Sequence, residues 1–145
     1  MPRSPVLLLL ALAACVSPSP VSVDALPVPP FAYEAPLRGA YEARLDRALG
    51  AVRQSLRGPY GAADADVFHL ADGTPWEAVE AFYADAFATD ALGGFERQPE
   101  PPGDPDRYRL AVWARGAREA LAVAFVPGRP DDPAAFLVLL HAPRD

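Results

Sequence analysis

Lysine, asparagine and isoleucine are missing from this chain, and all 13 of its cationic side chains are arginine. We read that bias as the codon usage of a GC-rich genome. Cysteine occurs once, at position 15, which excludes an intramolecular disulfide. Histidine occurs twice, as His69 and His141. There is no His-x-x-x-His pair, no calcium-loop pattern and no Cys cluster, so no metal and no cofactor are expected. Gly-x-Ser-x-Gly, a glycine-rich phosphate loop and His-Glu-x-x-His are also missing, and nothing in the pattern marks an enzyme. Positive charge is in short supply too. The formal net charge is −6, which argues against nucleic acid and against electrostatic binding to anionic lipid.

Turning to what is present, the N-terminus carries one positive side chain, Arg3, and then an apolar run from Val6 to Ala14. That run suits a signal-peptide core and is too short to span a bilayer, which takes roughly 20 apolar residues. Small residues follow, ending at Leu12-Ala13-Ala14-Cys15. This box resembles the lipobox of bacterial lipoprotein precursors. The resemblance implies that Cys15 is lipidated, that the chain is cut just before it, and that the product is exported and membrane-anchored in the cell envelope. Removing residues 1–14 takes away Arg3 and moves the formal charge from −6 to −7.

Residues 15–36 are rich in proline, which fixes φ and removes a donor. They read as a lipidated cysteine and a semi-rigid tether, with Phe31 and Tyr33 available to dock on a domain covering residues 37–145. An amphipathic helix is predicted from Leu37, Tyr41, Leu45, Leu49, Val52 and Leu56, ending at Gly58-Pro59. Glu34, Arg38 and Glu42 form a charge ladder on its solvated side. Val67 to Ala71 reads as a strand. A second helix follows, with Thr74 as N-cap, Pro75 at the first helical position and Glu77 completing a capping box. Trp76, Val79, Phe82, Tyr83, Ala86 and Phe87 form its apolar stripe, and Gly93-Gly94 marks the stop of the helix or of its trailing turn.

The remainder is a meander. Strands are predicted at Phe95 to Gln98, Arg107 to Arg115, Glu119 to Val126 and Ala134 to His141. A two-residue turn at Gly116-Ala117 pairs Arg115 with Arg118. In that register Val112 faces Leu121, Leu110 faces Val123 and Tyr108 faces Phe125 on one large apolar face. The opposite face sets Trp113, Ala111 and Arg109 over Ala120, Ala122 and Ala124. The fold class is therefore α+β: two amphipathic helices on a mainly antiparallel sheet of about four to five strands.

The alanine-floored face gives two readings. In one, Trp113 with Arg107, Arg109 and Arg115 binds a glycan, a peptide or an anionic group, with arginine as planar donor fork and tryptophan as stacking plane. In the other, the first helix packs there and the small residues let it come close. The acidic pairs Asp64/Asp66, Asp104/Asp106 and Asp131/Asp132 read as turn residues. His69 reads as a strand residue, or else as one half of an acid–base pair.

Two more resemblances enter here. Thr74-Pro-Trp-Glu-Ala-Val-Glu-Ala-Phe-Tyr83 is similar to a helix of the NTF2-like superfamily, which implies a cone-shaped pocket. Phe82-Tyr83, Gly94-Phe95 and Trp113 are similar to a pattern in small bacterial lipoproteins, which implies no activity. The expectation is a non-enzymatic, lipid-anchored interaction module whose partner is an envelope protein or a glycan. The alternatives are a small-ligand binder with a pocket between helix and sheet, and an NTF2-like hydrolase or isomerase.

Overall fold

The computed structural model describes residues 23, 26–37, 40–89, 92–117 and 119–143. Cys15, Arg38 and Arg118 lie outside the described residues. So does the side chain of Glu42, and with it the proposed charge ladder.

The described elements are β1 (Ala32–Tyr33), α1 (Ala40–Tyr60), β2 (Asp64–Leu70), α2 (Trp76–Phe87), β3 (Glu96–Arg97), β4 (Arg109–Arg115), β5 (Glu119–Val126) and β6 (Ala135–Pro143). They form one six-stranded sheet in the order β1-β2-β6-β5-β4-β3, antiparallel throughout. The α+β class holds, with six strands in place of four to five. The extra strand is β1, contributed by the stretch assigned to the tether.

The two helices cover opposite faces. On one side Leu45, Ala48, Val52 and Leu56 of α1 share a core with Leu110, Val112, Phe136, Val138 and Leu140. On the other, Trp76, Val79, Tyr83 and Phe87 of α2 share a core with Trp113, Leu121, Val123, Leu137 and Leu139. The central strands β4, β5 and β6 are accordingly buried on both faces, which is why they read as nearly unbroken apolar runs. Each fully buried Leu, Val or Phe contributes roughly 1.5–3 kcal/mol.

The β4–β5 register corrects the expected one by a single residue. Arg115 pairs with Glu119, so the connection has three residues, with Gly116 at φ 60°. Leu110 then faces Ala124, Val112 faces Ala122 and Ala111 faces Val123. A large residue meets a small one across the strands in all three. That keeps both faces level, and a helix seats on each. The alanines 120, 122 and 124 lie under α1 beside Leu110 and Val112, and Trp113 lies on the α2 side. The alanine floor and the tryptophan thus belong to different faces.

The helix boundaries also shift. α1 runs through Pro59 to Tyr60 and is closed by Gly61, at φ 87°, whose N–H donates to the Arg57 carbonyl at 3.0 Å. The N-cap of α2 is Pro75, with no side-chain cap bond. The expected capping box is absent. Thr74 instead donates its hydroxyl back to the Ala71 carbonyl at 2.7 Å, closing the turn between β2 and α2.

Part of the stretch expected to be a tether packs on the domain. Leu26 is buried in the α2-side core, and Phe31 packs edge-on against Phe82. The Tyr83 hydroxyl donates to the Pro27 carbonyl at 2.8 Å, and the Ala71 N–H donates to the Phe31 carbonyl at 2.9 Å. β1 then pairs with the outer end of β2, and Tyr33 stacks on His69.

Candidate functional site

The expected site sets four side chains over an alanine floor; in the structure that floor lies on the opposite face of the sheet and each of the four meets its own neighbours. Trp113 is only 4% exposed; Phe87 stacks on it and the Arg97 guanidinium lies 4.8 Å from its ring centroid. Arg97 is held in turn by Glu80 at 2.7 Å. Trp113 therefore offers no free stacking plane. Arg115 lies 4.7 Å from the Phe95 ring and donates to Glu119 at 2.6 Å. Arg107 is exposed and pairs with Asp104 at 3.4 Å within a tight turn. Arg109 lines a concavity and, among the described residues, is in no ion pair.

That concavity is a cleft of about 280 Å³ at the outer edge of β4, lined by Glu100, Pro101, Gly103, Pro105, Tyr108, Arg109 and Leu110. Its origin is local. Gln98 still donates its N–H to the Val112 carbonyl at 2.8 Å, continuing the β3–β4 pairing. Prolines at 99, 101, 102 and 105 then supply no N–H, so the chain leaves the sheet edge. It returns through a turn in which the Asp104 carbonyl accepts from Arg107 and Tyr108. Tyr108 forms the floor. Its hydroxyl lies 2.9 Å from the Ser55 hydroxyl of α1, and Gly103 sits against its ring at a distance where a Cβ would touch.

A second concavity, of about 370 Å³, lies at the end of α1 beside Arg53, Arg57 and Gly61 to Ala63. Cations in the last turn already complement the helix dipole, so the position of Arg57 needs no ligand to explain it.

Two buried polar clusters escaped the sequence reading. At one end of the sheet Glu119, 7% exposed, holds both Arg115 and His141, with His141 Nε2 at 3.0 Å. Asp64 is the register partner of His141 on β2, so charged and polar residues of four strands line up here. The available signal was a charged or polar residue at each strand end, flanking apolar runs. The other cluster is Arg44, 7% exposed, which donates to the carbonyls of Pro127 and Ala134 and pairs with Asp132 at 3.3 Å. Its place on α1 resembles any surface position of an amphipathic helix, and only the β5–β6 loop makes it internal.

His69 lies between Tyr33 and Phe136, and its Nε2 is buried without a hydrogen-bond partner among the described residues. Asp104 and Asp132 do act in turns, accepting from the Asp106 and Ala134 N–H groups. Asp64 and Asp66 do not, since both lie within β2. Among the described residues no group of three or more His, Cys, Asp or Glu side chains converges to hold a metal ion, and no helix is long and apolar enough to cross a membrane. No family model, curated protein or solved structure matches the chain.

Proposed function

We propose that the protein is a lipid-anchored, non-enzymatic interaction module of the cell envelope, held by acyl chains on Cys15 and meeting its partner at the β4-edge cleft. The cleft is the observation that carries the binding half of this reading. It sets half-buried Arg109, in no ion pair among the described residues, at a concavity of the sheet rim facing Glu100, whereas the layers between each helix and the sheet are filled by packed side chains. A small ligand between helix and sheet has to displace residues such as Tyr83 and Val52, each at most 1% exposed. A hydrolase of the NTF2-like kind needs a carboxylate at His69, whose ring meets Tyr33 and Phe136 instead.

The anchoring half rests on Leu12-Ala13-Ala14-Cys15. The early docking of Leu26 gives it a spatial consequence. The link from Cys15 to Leu26 reaches no further than roughly 40 Å when fully extended. The domain therefore works close to the bilayer, and its partner is a membrane protein or belongs to the layer directly above the membrane. Two or three acyl chains make such an anchor stable, since each buried CH₂ contributes about 0.8 kcal/mol.

Metabolic labelling with an alkyne fatty acid tests the anchor. The full chain takes up label and fractionates with membranes, and Cys15→Ala does neither; an unlabelled wild-type chain rejects the anchor. A photo-crosslinking residue at position 107, exposed beside the cleft, tests the partner in intact cells. Recovery of one discrete envelope adduct is expected, and loss of every specific adduct counts against an interaction module.

A further inference from the structure

β2 is longer than the strand that covers it. β1 meets only His69 and Leu70, so from Asp64 to Phe68 the outer edge of β2 has no neighbouring strand among the described residues. The direction of its backbone groups follows from one bond. Ala71, just past the strand, donates its N–H to the Phe31 carbonyl, away from β6. In an antiparallel ladder every second residue points the same way, and β2 pairs with β6 without a break from Asp64 to Leu70. The N–H and C=O of Val67 and Ala65 therefore also point away from β6. No backbone hydrogen bond among the described residues reaches them from that side. Continuing the β1 register brings residues 35 and 37 opposite, but Pro36 supplies no N–H there and the chain enters α1 at Ala40.

This edge is open to solvent. Asp64 and Asp66 are exposed, and Ala65 and Val67 are partly so. The two carboxylates alternate along one face of the strand, and neither is in an ion pair among the described residues. Phe68 continues that face, packed against the α2-side core, while Ala65 and Val67 lie on the α1 side. An unpaired edge is a template for a further strand, and its side chains decide which one. A second copy is the wrong occupant. An antiparallel β2–β2 pairing centred on residue 66 sets Asp66 against Asp66, and one centred on residue 65 sets Asp64 against Asp66. Like charges directly opposite destabilise a pair of strands, whereas opposite charges stabilise it.

We infer that the outer edge of β2 takes up an extended segment of a partner protein as an added antiparallel strand, with basic side chains opposite Asp66 and Asp64 and an apolar one opposite Phe68. Read from its N-terminus, that segment has the order apolar-x-basic-x-basic. β2 and the β4 cleft lie towards opposite ends of the sheet order, so this surface is independent of the β4-cleft reading.

The test titrates the full chain, in mild detergent, with the blocked peptide acetyl-Val-Thr-Arg-Thr-Arg-amide. Binding is expected to shift the amide resonances of Ala65 and Val67, to slow their exchange, and to weaken as salt is raised. The analogue with glutamate for both arginines does not bind. N-methylation of the two peptide threonines removes the donors that face Val67 and Ala65, and it abolishes binding with the protein itself unaltered. Asp64→Asn and Asp66→Asn each weaken binding about threefold, with unchanged circular dichroism and melting temperature. No binding, equal binding of the glutamate analogue, binding that survives N-methylation, or shifts centred on Tyr108 and Arg109 overturns the inference. So do shifts at Ala65 and Val67 that arise on concentrating the protein alone, which make a second copy the occupant. If the position-107 crosslinker still captures a discrete partner in those cases, the interaction-module reading stands and only strand addition at β2 is lost.

Discussion

Trp113 lies flat against Phe87, with ring centroids 4.3 Å apart and planes 12° from parallel. Both rings are largely buried, so this contact ties the end of α2 to the middle of β4. Truncation of Phe87 removes the stacked ring and leaves a void of its size. Phe87→Ala is expected to cost about 3–5 kcal/mol in urea unfolding and to shift tryptophan emission to the red. A variant of near wild-type stability shows that the α2 end is not seated on Trp113.

The same contact explains what the sequence could and could not disclose. Within each strand the residues were sorted correctly. Leu121, Val123 and Phe125 share one face of β5, Ala120, Ala122 and Ala124 the other, and β4 divides equally cleanly. What the pattern did not supply was which set of β4 joins which set of β5. A half-exposed sheet would have fixed it, because a one-residue slip then turns apolar side chains to water. Here both faces are buried, and a slip exchanges one buried face for the other. The deciding quantity is thickness: Leu110 over Ala124 and Val112 over Ala122 leave room for α1. The helices were legible from their periodicity. The docking of Leu26 was not, because a proline-rich stretch looks the same whether it is free or seated on α2. Arg109 was legible as a candidate on the Trp113 side of β4, but the alanine floor expected beneath the two lies on the other face.

Volume at the α1 face gives the second prediction. Ala122 is 1% exposed in the core shared with Val52 and Leu56. Ala122→Leu overfills that layer and is expected to destabilise by about 1–3 kcal/mol. In the register expected from the sequence, Ala122 shares a face with Trp113, and α1 covers it only if that same face is its packing surface. Thermal melts of Ala122→Leu and of the paired change Ala122→Leu with Val112→Ala separate the cases. Partial rescue by the pair requires the two to face each other, as they do here.

Tyr83 links the docked N-terminal segment to α2. Its hydroxyl donates to Pro27, and burial raises its pKa well above the ordinary 10.0. Tyr83→Phe removes one hydrogen bond and is expected to cost about 0.5–1.5 kcal/mol at neutral pH. The sign of the pH effect follows from the raised value. A group that ionises less readily when folded contributes stability that is fully present below the unfolded pKa. That contribution falls as pH rises beyond about 10. Urea unfolding at pH 9 and pH 11 is expected to show wild type losing more stability across that interval than Tyr83→Phe. Equal losses mean that the hydroxyl ionises alike in both states.

Arg44 fixes the β5–β6 loop through two carbonyls and Asp132. The loop has a second constraint, since a Cβ on Gly128 would come within 2.3 Å of the Pro133 carbonyl oxygen. Arg44→Met keeps much of the side-chain volume and leaves both carbonyls and the carboxylate without their donor. A loss of about 3 kcal/mol is expected, together with faster amide exchange in residues 127–134. Gly128→Ala is expected to loosen the same segment. If exchange there is unchanged in both variants, the loop is held by β5 and β6 themselves and not by α1.

The carboxylate of Glu119 bridges Arg115 and His141 at a nearly closed end of the sheet. Taking a charge out of water is costly, and the pair repays that cost only while its partners remain. Loss of one partner is therefore worse than loss of both. Glu119→Leu alone is expected to cost about 3–5 kcal/mol, because it removes the carboxylate that Arg115 and His141 share. With His141→Leu added, the cost of the double variant falls short of the sum of the two single costs by about 0.5–3 kcal/mol. Strict additivity in that double-mutant cycle places the two side chains out of energetic contact. The row across the four strands is then a set of separate polar ends, each solvated by itself.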